Sequence, residues 1–511
     1  MVAAPLCESK HAILLLLKQC KSLKHLQCIH AQATIHGLTF SSSSAAITKL
    51  LFTFTSLLSN PSLLSPPPSI HYALSLFHSI PSPSTFAFNL LLRSLTILSS
   101  PSHSLLLFLR MRRLSIPPDS HTFPFVLTAC SRLAATAVFP LGRALHSQAL
   151  KFGFISDVFV VNTLITIYSS SFSLNSISDA RRLFDETPHP DIVTYNSMIH
   201  GYVKAGDNDL NLALARKLFD EMPARDVISW GALLAGYSQS GRFSQALELF
   251  DRMMMESALE PDDVALVSAL SACANLGALD RGERIHEYIK RKRSTLSVYL
   301  ITGLVDMYAK CGCIRIAREM FDESPQRNLF TWNAMIIGLA MHGHGELSME
   351  YFNKMIMSGV KPDGVSILGV LVGCSHAGLV STACKVFDEM ECVYGVKREV
   401  KHYGCMADLL GRAGMIKEAM EMIAEMGMEG DEYVWGGVLG GCRIYGDVEV
   451  GEFAAKRLWE MKVKDSGVYS AMANMYAGAR RWGDVAKMRA LMSHEKVIKN
   501  AGSSSILVDN C

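Results

Sequence analysis

One phrase repeats along this chain and limits what the chain can fold into. RRLFDE at residues 181–186 returns as RKLFDE at 216–221 and as REMFDE at 318–323. The phenylalanines of this phrase and of its weaker copies lie 35, 31, 71, 31 and 35 residues apart, at Phe184, Phe219, Phe250, Phe321, Phe352 and Phe387. Because 71 residues make two periods, the sequence predicts an array of short units, each of which is stable only when it stacks on its neighbours.

Each period contains two helical stretches. The first has apolar residues at i, i+3, i+4 and i+7, as in NSMIHGYVKAG from Asn196, which is the pattern of a helix with one buried stripe. A glycine such as Gly312 or Gly414 closes this stretch, because glycine readily adopts the left-handed backbone of a helix end. The second stretch, such as FSQALELFDRM at 243–253, is followed by a proline that turns the chain into the next unit. We therefore expect an all-α solenoid of stacked helix-turn-helix units.

The charge of the chain bears on its possible partners. Its 511 residues have a formal net charge of +2, which is far from the strongly basic character that drives binding to nucleic acid by counterion release. The first 120 residues, however, carry nine Lys or Arg against two Asp or Glu. Any polyanion must therefore be held on a local basic strip or by contacts to bases.

Two further patterns exclude classes of protein. The longest early apolar run, Ala12–Leu17, is far shorter than the roughly 20 residues that cross a bilayer, so we expect no membrane partner. The 13 cysteines are scattered singly, and four of them recur at one place in the helical phrases: Cys130, Cys273, Cys374 and Cys442. This placement indicates small core residues and argues against a secreted disulfide framework.

The repeated phrases resemble pentatricopeptide repeats of the plant PLS class, in which units of different length alternate. YNSMIHGYVKAG, SALSACANLGALDRGERIH and VDMYAKCGCIRIAREMFDESPQRN carry the resemblance, which covers roughly residues 10–509. It implies a right-handed superhelical solenoid. Tetratricopeptide and ankyrin repeats are the competing helix-pair arrays, and their signature phrases are absent.

We divide the chain into four parts on this basis. A leader with degenerate repeats occupies 1–84, tandem repeats occupy 85–431, two E-type repeats occupy 432–499, and a tail occupies 500–511. The units begin at residues 85, 120, 158, 192, 227, 263, 298, 329, 364, 400, 432 and 466. The start of the leader is poor in acidic residues and rich in Ser, Leu and Lys, which is typical of an organelle transit peptide.

The resemblance implies that each repeat recognises one base of single-stranded RNA through a few side chains. In this family the fifth and last residues of a unit contact the base, and here the polar pairs are Asn89 with Asp119, Asn162 with Asp191, Asn196 with Asp226, Thr302 with Asn328, and Asn333 with Asp363. Asn with Asp resembles a uracil reader and Thr with Asn an adenine reader. The implied target is 5′-U-n-U-U-n-n-A-U-n-n-3′ opposite residues 85–431. The structural alternative is that Asn is a helix N-cap and Asp ends a turn.

Some units lack a complete pair, and others offer stacking residues. Gly231 with Asp262 and Gly404 with Asp431 are incomplete, and the fifth residues Pro124, Val267 and Leu368 have no side-chain donor. Val193, Ile228 and Phe330 occupy the second position of their units. There they could hold a base between successive repeats, or they could pack units together.

The units after Asp431 look like the E repeats of RNA-editing specificity factors, which select a cytidine for conversion to uridine. Deamination needs Zn²⁺ held by His and Cys, in an H-x-E and C-x-x-C arrangement. The chain has one H-x-E, His344-Gly345-Glu346, and no C-x-x-C. We therefore expect no metal site, no cofactor and no enzyme activity. The resemblance implies a DYW-domain cytidine deaminase acting in trans, and multiple organellar RNA editing factor proteins as further partners.

Two other functions remain open at this point. One is an organellar RNA stability or processing factor, which the E-like region disfavours. The other is a protein-binding scaffold of helical repeats, which the polar pairs disfavour. The expected location is the mitochondrion, where plants have more editing sites, with the chloroplast as the alternative.

Overall fold

The computed structural model describes residues 15–35, 44–58, 70–133, 135–169, 176–205, 209–256, 259–293, 295–461 and 466–494. The start of the expected transit peptide and the tail at 500–511 lie outside these ranges. Within them the regular elements are α-helices, without a strand. The all-α prediction is confirmed.

From residue 85 onward, each unit supplies a first helix and a second helix joined by a short turn. The first helices are Thr85–Ile97, Thr122–Ser131, Val158–Ser169, Ile192–Lys204, Val227–Gln239, Asp263–Leu276, Val298–Lys310, Leu329–Met341, Gly364–Ala377, Val400–Arg412, Glu432–Tyr445 and Ser466–Gly478. The second helices are Pro101–Arg113, Ala135–Lys151, Ser176–Glu186, Asp209–Glu221, Phe243–Glu256, Leu279–Lys292, Ile314–Glu323, Gly345–Met357, Val380–Cys392, Ile416–Glu425, Val448–Glu460 and Trp482–His494. Leu23–Ile35, Ser44–Leu58 and Ile70–His78 precede them.

The helix boundaries follow from local chemistry. Apart from Thr122, each of these first helices starts at the first residue of its predicted unit. The residue just before that start is the N-cap of the helices beginning at Thr85, Ile192, Val227, Asp263, Val298, Leu329, Gly364, Val400 and Glu432. Gly312, Gly343 and Gly414 follow first helices with φ of 92°, 78° and 78°, a conformation that L side chains avoid. The predicted glycine stops at these positions are confirmed.

Successive units stack through their first helices. The chain divides into two compact regions, Met1–Ser240 and Gly241–Cys511. In each of them a first helix packs against its own second helix and against the first helices of its neighbours. The faces of the first helices that contact neighbouring helices are therefore almost fully apolar. Ile165, Leu234, Leu270 and Ile336 on these helices are each 0% exposed.

The phenylalanine of the repeated phrase joins one unit to the next. Phe219 packs edge-on against Trp230 with ring centroids 4.8 Å apart, and Phe321 packs in the same way on Trp332 at 4.7 Å. In both pairs the partner is the fourth residue of the following first helix. Edge-to-face rings add to the stability that burial provides, so this contact sets the position of each unit on its neighbour.

An arginine completes the same junction. Arg327 donates from Nε to the carbonyl oxygen of Phe321 at 2.8 Å, and its guanidinium carbon lies 4.9 Å from the centre of that ring. Arg225 repeats both contacts on Phe219, at 2.9 Å and 5.0 Å. The guanidinium thus satisfies a carbonyl at the end of the second helix, where helical partners run out.

One pair of first helices crosses at unusually short range. A Cβ built on Gly441 of helix Glu432–Tyr445 would lie 2.5 Å from the Cα of Gly411 in helix Val400–Arg412, and one on Gly437 would lie 2.7 Å from the backbone nitrogen of Asp408. The fifth residue of the unit, Gly404, would place a Cβ 3.2 Å from that of Tyr433. The last tandem repeat and the first E-type unit therefore meet backbone to backbone, which only glycine permits.

The four cysteines that recur at one place in the helical phrases are core residues, as predicted. Cys130, Cys273, Cys374 and Cys442 are each 0% exposed. Burial raises the pKa of the Cys130 thiol to about 11 and that of Cys273 to about 12, so both are protonated at neutral pH. None of the helices in the described ranges combines the length and apolar character needed to span a bilayer.

Candidate functional site

The structure brings four of the five predicted fifth-and-last pairs into direct hydrogen bonds. The amide Nδ2 of each asparagine donates to a carboxylate oxygen of the aspartate that ends its unit. The N···O distances are 2.8 Å for Asn89 with Asp119, 3.3 Å for Asn162 with Asp191, and 3.1 Å for both Asn196 with Asp226 and Asn333 with Asp363. Since a carboxylate can only accept, each contact fixes which end of the amide faces the aspartate.

The fifth pair is connected indirectly. The Thr302 hydroxyl lies 2.7 Å from the hydroxyl of Thr331, which donates to Oδ1 of Asn328 at 3.0 Å. Thr302 is too short to reach Asn328 itself. The two predicted residues therefore belong to one hydrogen-bonded chain without touching each other.

Three of the aspartates, and not their partner asparagines, are helix N-caps. Asp191, Asp226 and Asp363 are N-caps of the next first helix, and their carboxylates accept from backbone N–H groups at 2.7 Å, 2.8 Å and 2.9 Å. Asn196, by contrast, lies one turn inside helix Ile192–Lys204. The fifth-position asparagines are not caps, so their polar groups need another explanation, whereas Asn328, which ends its unit, caps helix Leu329–Met341.

The hydrogen bonds alter the acidity of these aspartates. Burial alone would raise the pKa of Asp363, but bonds from Ser366 and Asn333 outweigh it and hold that pKa below its usual value. The pKa of Asp119 is lowered against burial in the same way by Asn89 and Thr122, and that of Asp191 by Thr194 and Asn162. All three are charged at neutral pH.

The second-position side chains are exposed. Val193, Ile228 and Phe330 are 56%, 63% and 65% exposed, so they do not serve mainly as packing between units. The same position carries further exposed apolar residues that the sequence prediction missed: Phe86, Phe159, Val264, Tyr299, Val365 and Tyr433. Their shared register was the available signal, because the count from each unit start already placed them.

One cleft shows these features together. A cavity of about 300 Å³ is lined by Val193 and Ile228 at the second positions, with Asn196, Asp226 and His200 among the other lining residues. Oδ1 of Asn196 is buried and has no hydrogen-bond partner among the residues that the structure describes. A buried acceptor without a donor costs about 1–3 kcal/mol. The cleft can hold a flat ring between two apolar side chains and offer it this acceptor.

The third residue of each of these units also belongs to the site, and sequence reasoning did not find it. Thr122, Thr194, Ser229, Thr331 and Ser366 are each 0% exposed. Their hydroxyls contact the Asp or Asn that ends the preceding unit. The hydroxyls of Thr122 and Ser366 also donate to Oδ1 of the fifth-position residues Asn89 and Asn333. The recurrence of Ser or Thr three residues after the terminal Asp or Asn was the sequence signal.

The H-x-E sequence shows no sign of a metal centre. His344 and Glu346 are exposed on either side of Gly345, where a second helix begins. Across the described residues no group of three or more His, Cys, Asp or Glu could hold a metal ion.

Comparison with known proteins places the chain in a family. A model described as "PPR repeat" matches residues 188–223, 228–257, 301–329, 330–360, 369–392 and 401–431, and one described as "E motif" matches 445–507. A pentatricopeptide repeat-containing protein of Arabidopsis thaliana is 50% identical over 501 residues, which are 96% of this chain and 98% of the relative. Another from that plant is 34% identical over 513 residues, 99% and 100% of the two chains.

Two further matches are a second named relative and a solved structure. The Arabidopsis thaliana pentatricopeptide repeat-containing protein ELI1, chloroplastic, is 38% identical over 442 residues, 86% of this chain and 68% of the relative. The crystal structure of maize PPR10 aligns with 96% of this chain and 89% of that one, at 16% identity and a TM-score of 0.47. The identity of 50% across nearly the whole length of both chains, together with the E motif, shows that this chain belongs to the plant pentatricopeptide repeat proteins, in the E subgroup of the PLS class.

Proposed function

We propose that this protein binds single-stranded RNA in a plant organelle and selects one cytidine for editing to uridine. The observation that carries the proposal is the unpartnered Oδ1 of Asn196, buried in a cleft between exposed Val193 and Ile228. An acceptor that is costly to bury alone marks a place where a ligand supplies a donor.

The chemistry of the cleft suits a pyrimidine base. One hydrogen of the Asn196 Nδ2 group goes to Asp226 at 3.1 Å, whereas Oδ1 has no partner among the described residues. Uracil presents an N3–H beside a carbonyl oxygen, so it can donate to Oδ1 and accept from Nδ2. The apolar walls above and below would cover the faces of the ring.

The exposed second-position residues extend this arrangement along the chain. Phe86, Phe159, Tyr299, Phe330 and Tyr433 present aromatic rings that are more than half exposed. Aromatic stacking on bases is tolerant of sequence and is worth about 1–3 kcal/mol per base. Four of these rings lie in units that also carry a polar pair, so stacking would add affinity in the same units that supply selectivity.

The E motif favours editing over RNA stabilisation. The resemblance assigns E-type repeats to editing specificity factors, and the family model for this motif matches residues 445–507. In the proposed division of labour, the repeats at 85–431 fix the register on the RNA and the E-type units at 432–499 present a partner to the cytidine. That partner is a DYW-domain deaminase acting in trans, assisted by multiple organellar RNA editing factor proteins, and this chain is not itself the enzyme.

The organelle is proposed on two grounds. The acid-poor start of the chain is typical of a transit peptide, and one relative is named chloroplastic. We propose the mitochondrion, with the chloroplast as the alternative. Fluorescent fusions of the whole chain would separate the two.

A gel-shift titration tests RNA binding. Single-stranded RNA containing 5′-U-n-U-U-n-n-A-U-3′ should bind more tightly than the same RNA with purines at the uridine positions, and the affinity should fall as salt rises. Equal affinity for both RNAs would exclude the uridine assignment. Absence of any shift would favour the protein scaffold.

Sequencing of organelle transcripts tests the editing role. A plant that lacks the protein should lose editing at a specific cytidine, and expression of the intact chain should restore it. Normal editing at every site, combined with a shortened or less abundant transcript, would instead identify an RNA stability factor.

A further inference from the structure

The four Asn–Asp pairs fall into two classes, which differ in whether the asparagine Oδ1 already accepts a hydrogen bond from a hydroxyl. In two units the asparagine carbonyl is already occupied by a hydroxyl from the third residue of the next unit. Oδ1 of Asn89 accepts from the Thr122 hydroxyl at 2.8 Å, and Oδ1 of Asn333 accepts from the Ser366 hydroxyl at 2.6 Å. Each hydroxyl also lies near its own aspartate, at the longer distances of 3.0 Å and 2.9 Å.

In the other two units the equivalent hydroxyl is directed elsewhere. The Thr194 hydroxyl donates to the Asp191 carboxylate at 2.7 Å, and the Ser229 hydroxyl donates to the backbone carbonyl of Asp226 at 2.7 Å. Oδ1 of Asn162 and Oδ1 of Asn196 are buried, and neither has a partner within the described part of the chain. The hydroxyl again belongs to one Thr and one Ser, as in the first class, but it donates to a different acceptor.

This difference decides what a base gains on binding. A donor that reaches an unpartnered buried acceptor removes a penalty of about 1–3 kcal/mol, whereas one that reaches an occupied acceptor must share it. We propose that Thr122 and Ser366 weaken uridine selection by Asn89 and Asn333, so that Asn162 and Asn196 provide most of the discrimination. This inference rests on the proposed RNA-binding function and names positioning residues that act through the asparagines.

Cytidine is the informative competitor. Uridine carries a hydrogen on N3, and cytidine carries a lone pair there. At an empty Oδ1 the exchange of uridine for cytidine removes the donor from the acceptor that most needs it. At an Oδ1 that already accepts from a hydroxyl, the same exchange removes less.

The first measurement uses the full chain and four RNAs, each with one uridine of 5′-U-n-U-U-n-n-A-U-3′ changed to cytidine. The loss of affinity should be about tenfold at the positions opposite Asn162 and Asn196, and about threefold or less opposite Asn89 and Asn333. Equal losses at all four positions would overturn the inference while leaving uridine-selective binding intact. If the chain binds no RNA, both this inference and the proposed function fail.

The second measurement uses matched variants. Thr122→Val and Ser366→Ala remove the hydroxyls that occupy Asn89 and Asn333, so the uridine-to-cytidine ratio at those positions should rise to about tenfold. Thr194→Val and Ser229→Ala are the controls, because those hydroxyls also accept from the backbone N–H of their aspartates, at 3.2 Å and 3.0 Å, but do not contact an asparagine.

The ratio separates recognition from folding. All four variants lose the same capping contact, so a general loss of stability would lower affinity for both RNAs and leave the ratio unchanged. A rise in the ratio confined to Thr122→Val and Ser366→Ala supports the inference. An equal rise in the controls, or none in any variant, contradicts it.

Discussion

The aspartate that ends a unit makes hydrogen bonds in two directions. Asp226 caps helix Val227–Gln239 by accepting from the Ser229 N–H at 2.8 Å, and it holds the amide of Asn196 at 3.1 Å. The cap keeps the carboxylate rigid, and the carboxylate in turn stops the amide from rotating. In the proposed complex a base would therefore meet an acceptor and a donor in fixed order, which would reduce the entropy lost on binding.

Replacing this aspartate should affect both stability and RNA binding. Asp226→Ala removes an N-cap, at a cost of about 1 kcal/mol, and it frees the Asn196 amide, so affinity for the uridine-containing RNA should fall severalfold. Thermal unfolding and a gel-shift titration would measure the two effects.

Asp262 provides a matched control for that variant. It caps helix Asp263–Leu276 through the Ala265 N–H at 2.9 Å, but the fifth residue of its unit is Gly231. Asp262→Ala should lower the melting temperature by a similar amount and leave RNA affinity unchanged. Equal losses of affinity in both variants would mean that capping alone explains the result.

A buried histidine makes stability depend on pH. His286 is 4% exposed and shares a hydrogen bond of 2.8 Å with the Tyr308 hydroxyl. Burial, assisted by Lys290, lowers its pKa to about 4, against about 6.5 in the unfolded chain. The unfolded state binds the proton first, so stability is lost as pH falls from about 6.5 to about 4.

The variant His286→Phe removes this titration. It should be less stable than the natural chain at pH 7, and the difference should shrink as pH falls, as melting temperatures at several pH values would show. Tyr308→Phe breaks the same hydrogen bond but keeps the imidazole, so its curve should retain the natural slope. Parallel curves for all three proteins would contradict the assignment.

The polar pairs could be predicted from sequence, but the state of their acceptors could not. Counting from the unit starts placed Asn89, Asn162, Asn196 and Asn333 opposite their aspartates. Thr122 and Thr194 have the same type and position, yet one hydroxyl reaches an asparagine and the other an aspartate. That choice depends on side-chain rotamers and on small shifts at the helix start, which no residue pattern encodes.

At the scale of the helix, the repeated phrase works as a connector. Its phenylalanine lies in the second helix of one unit and contacts the first helix of the next. An arginine six residues later donates a hydrogen bond to the carbonyl oxygen of that phenylalanine. The periodicity of apolar residues predicted the helices and the glycine stops. The role of Arg327 was not predicted, because a side chain that bonds a carbonyl has no periodic signature.

Truncating this phenylalanine should cost more than truncating an exposed one. Phe321 is 2% exposed and lies between Trp332, Tyr351 and Arg327, so Phe321→Ala should destabilise the protein by about 3–5 kcal/mol. Phe330, at 65% exposure, is the control, and its truncation should cost less than about 0.5 kcal/mol. Chemical denaturation would measure both, and comparable losses would refute the connector role.

At the scale of the whole molecule, the proposed reading of one base by each unit would relate the number of units to the length of the bound RNA. Units contact mainly their neighbours, so whole units can be removed with limited damage. Deletion of 192–226 should give a protein that prefers RNA lacking the second of the two adjacent uridines, while its affinity for the original RNA falls at least about tenfold. A gel shift with both RNAs would show this. An unchanged preference would mean that units and bases are not matched one to one.

The glycine crossing between Val400–Arg412 and Glu432–Tyr445 sets a limit on such rearrangements. The two helices meet backbone to backbone, because Gly411 and Gly441 leave no room for a Cβ. The last tandem repeat and the first E-type unit are therefore expected to keep their fold only when they are kept together. A graft of the E-type region onto another repeat array should cut the chain before residue 400, so that both helices of the glycine contact are transferred together.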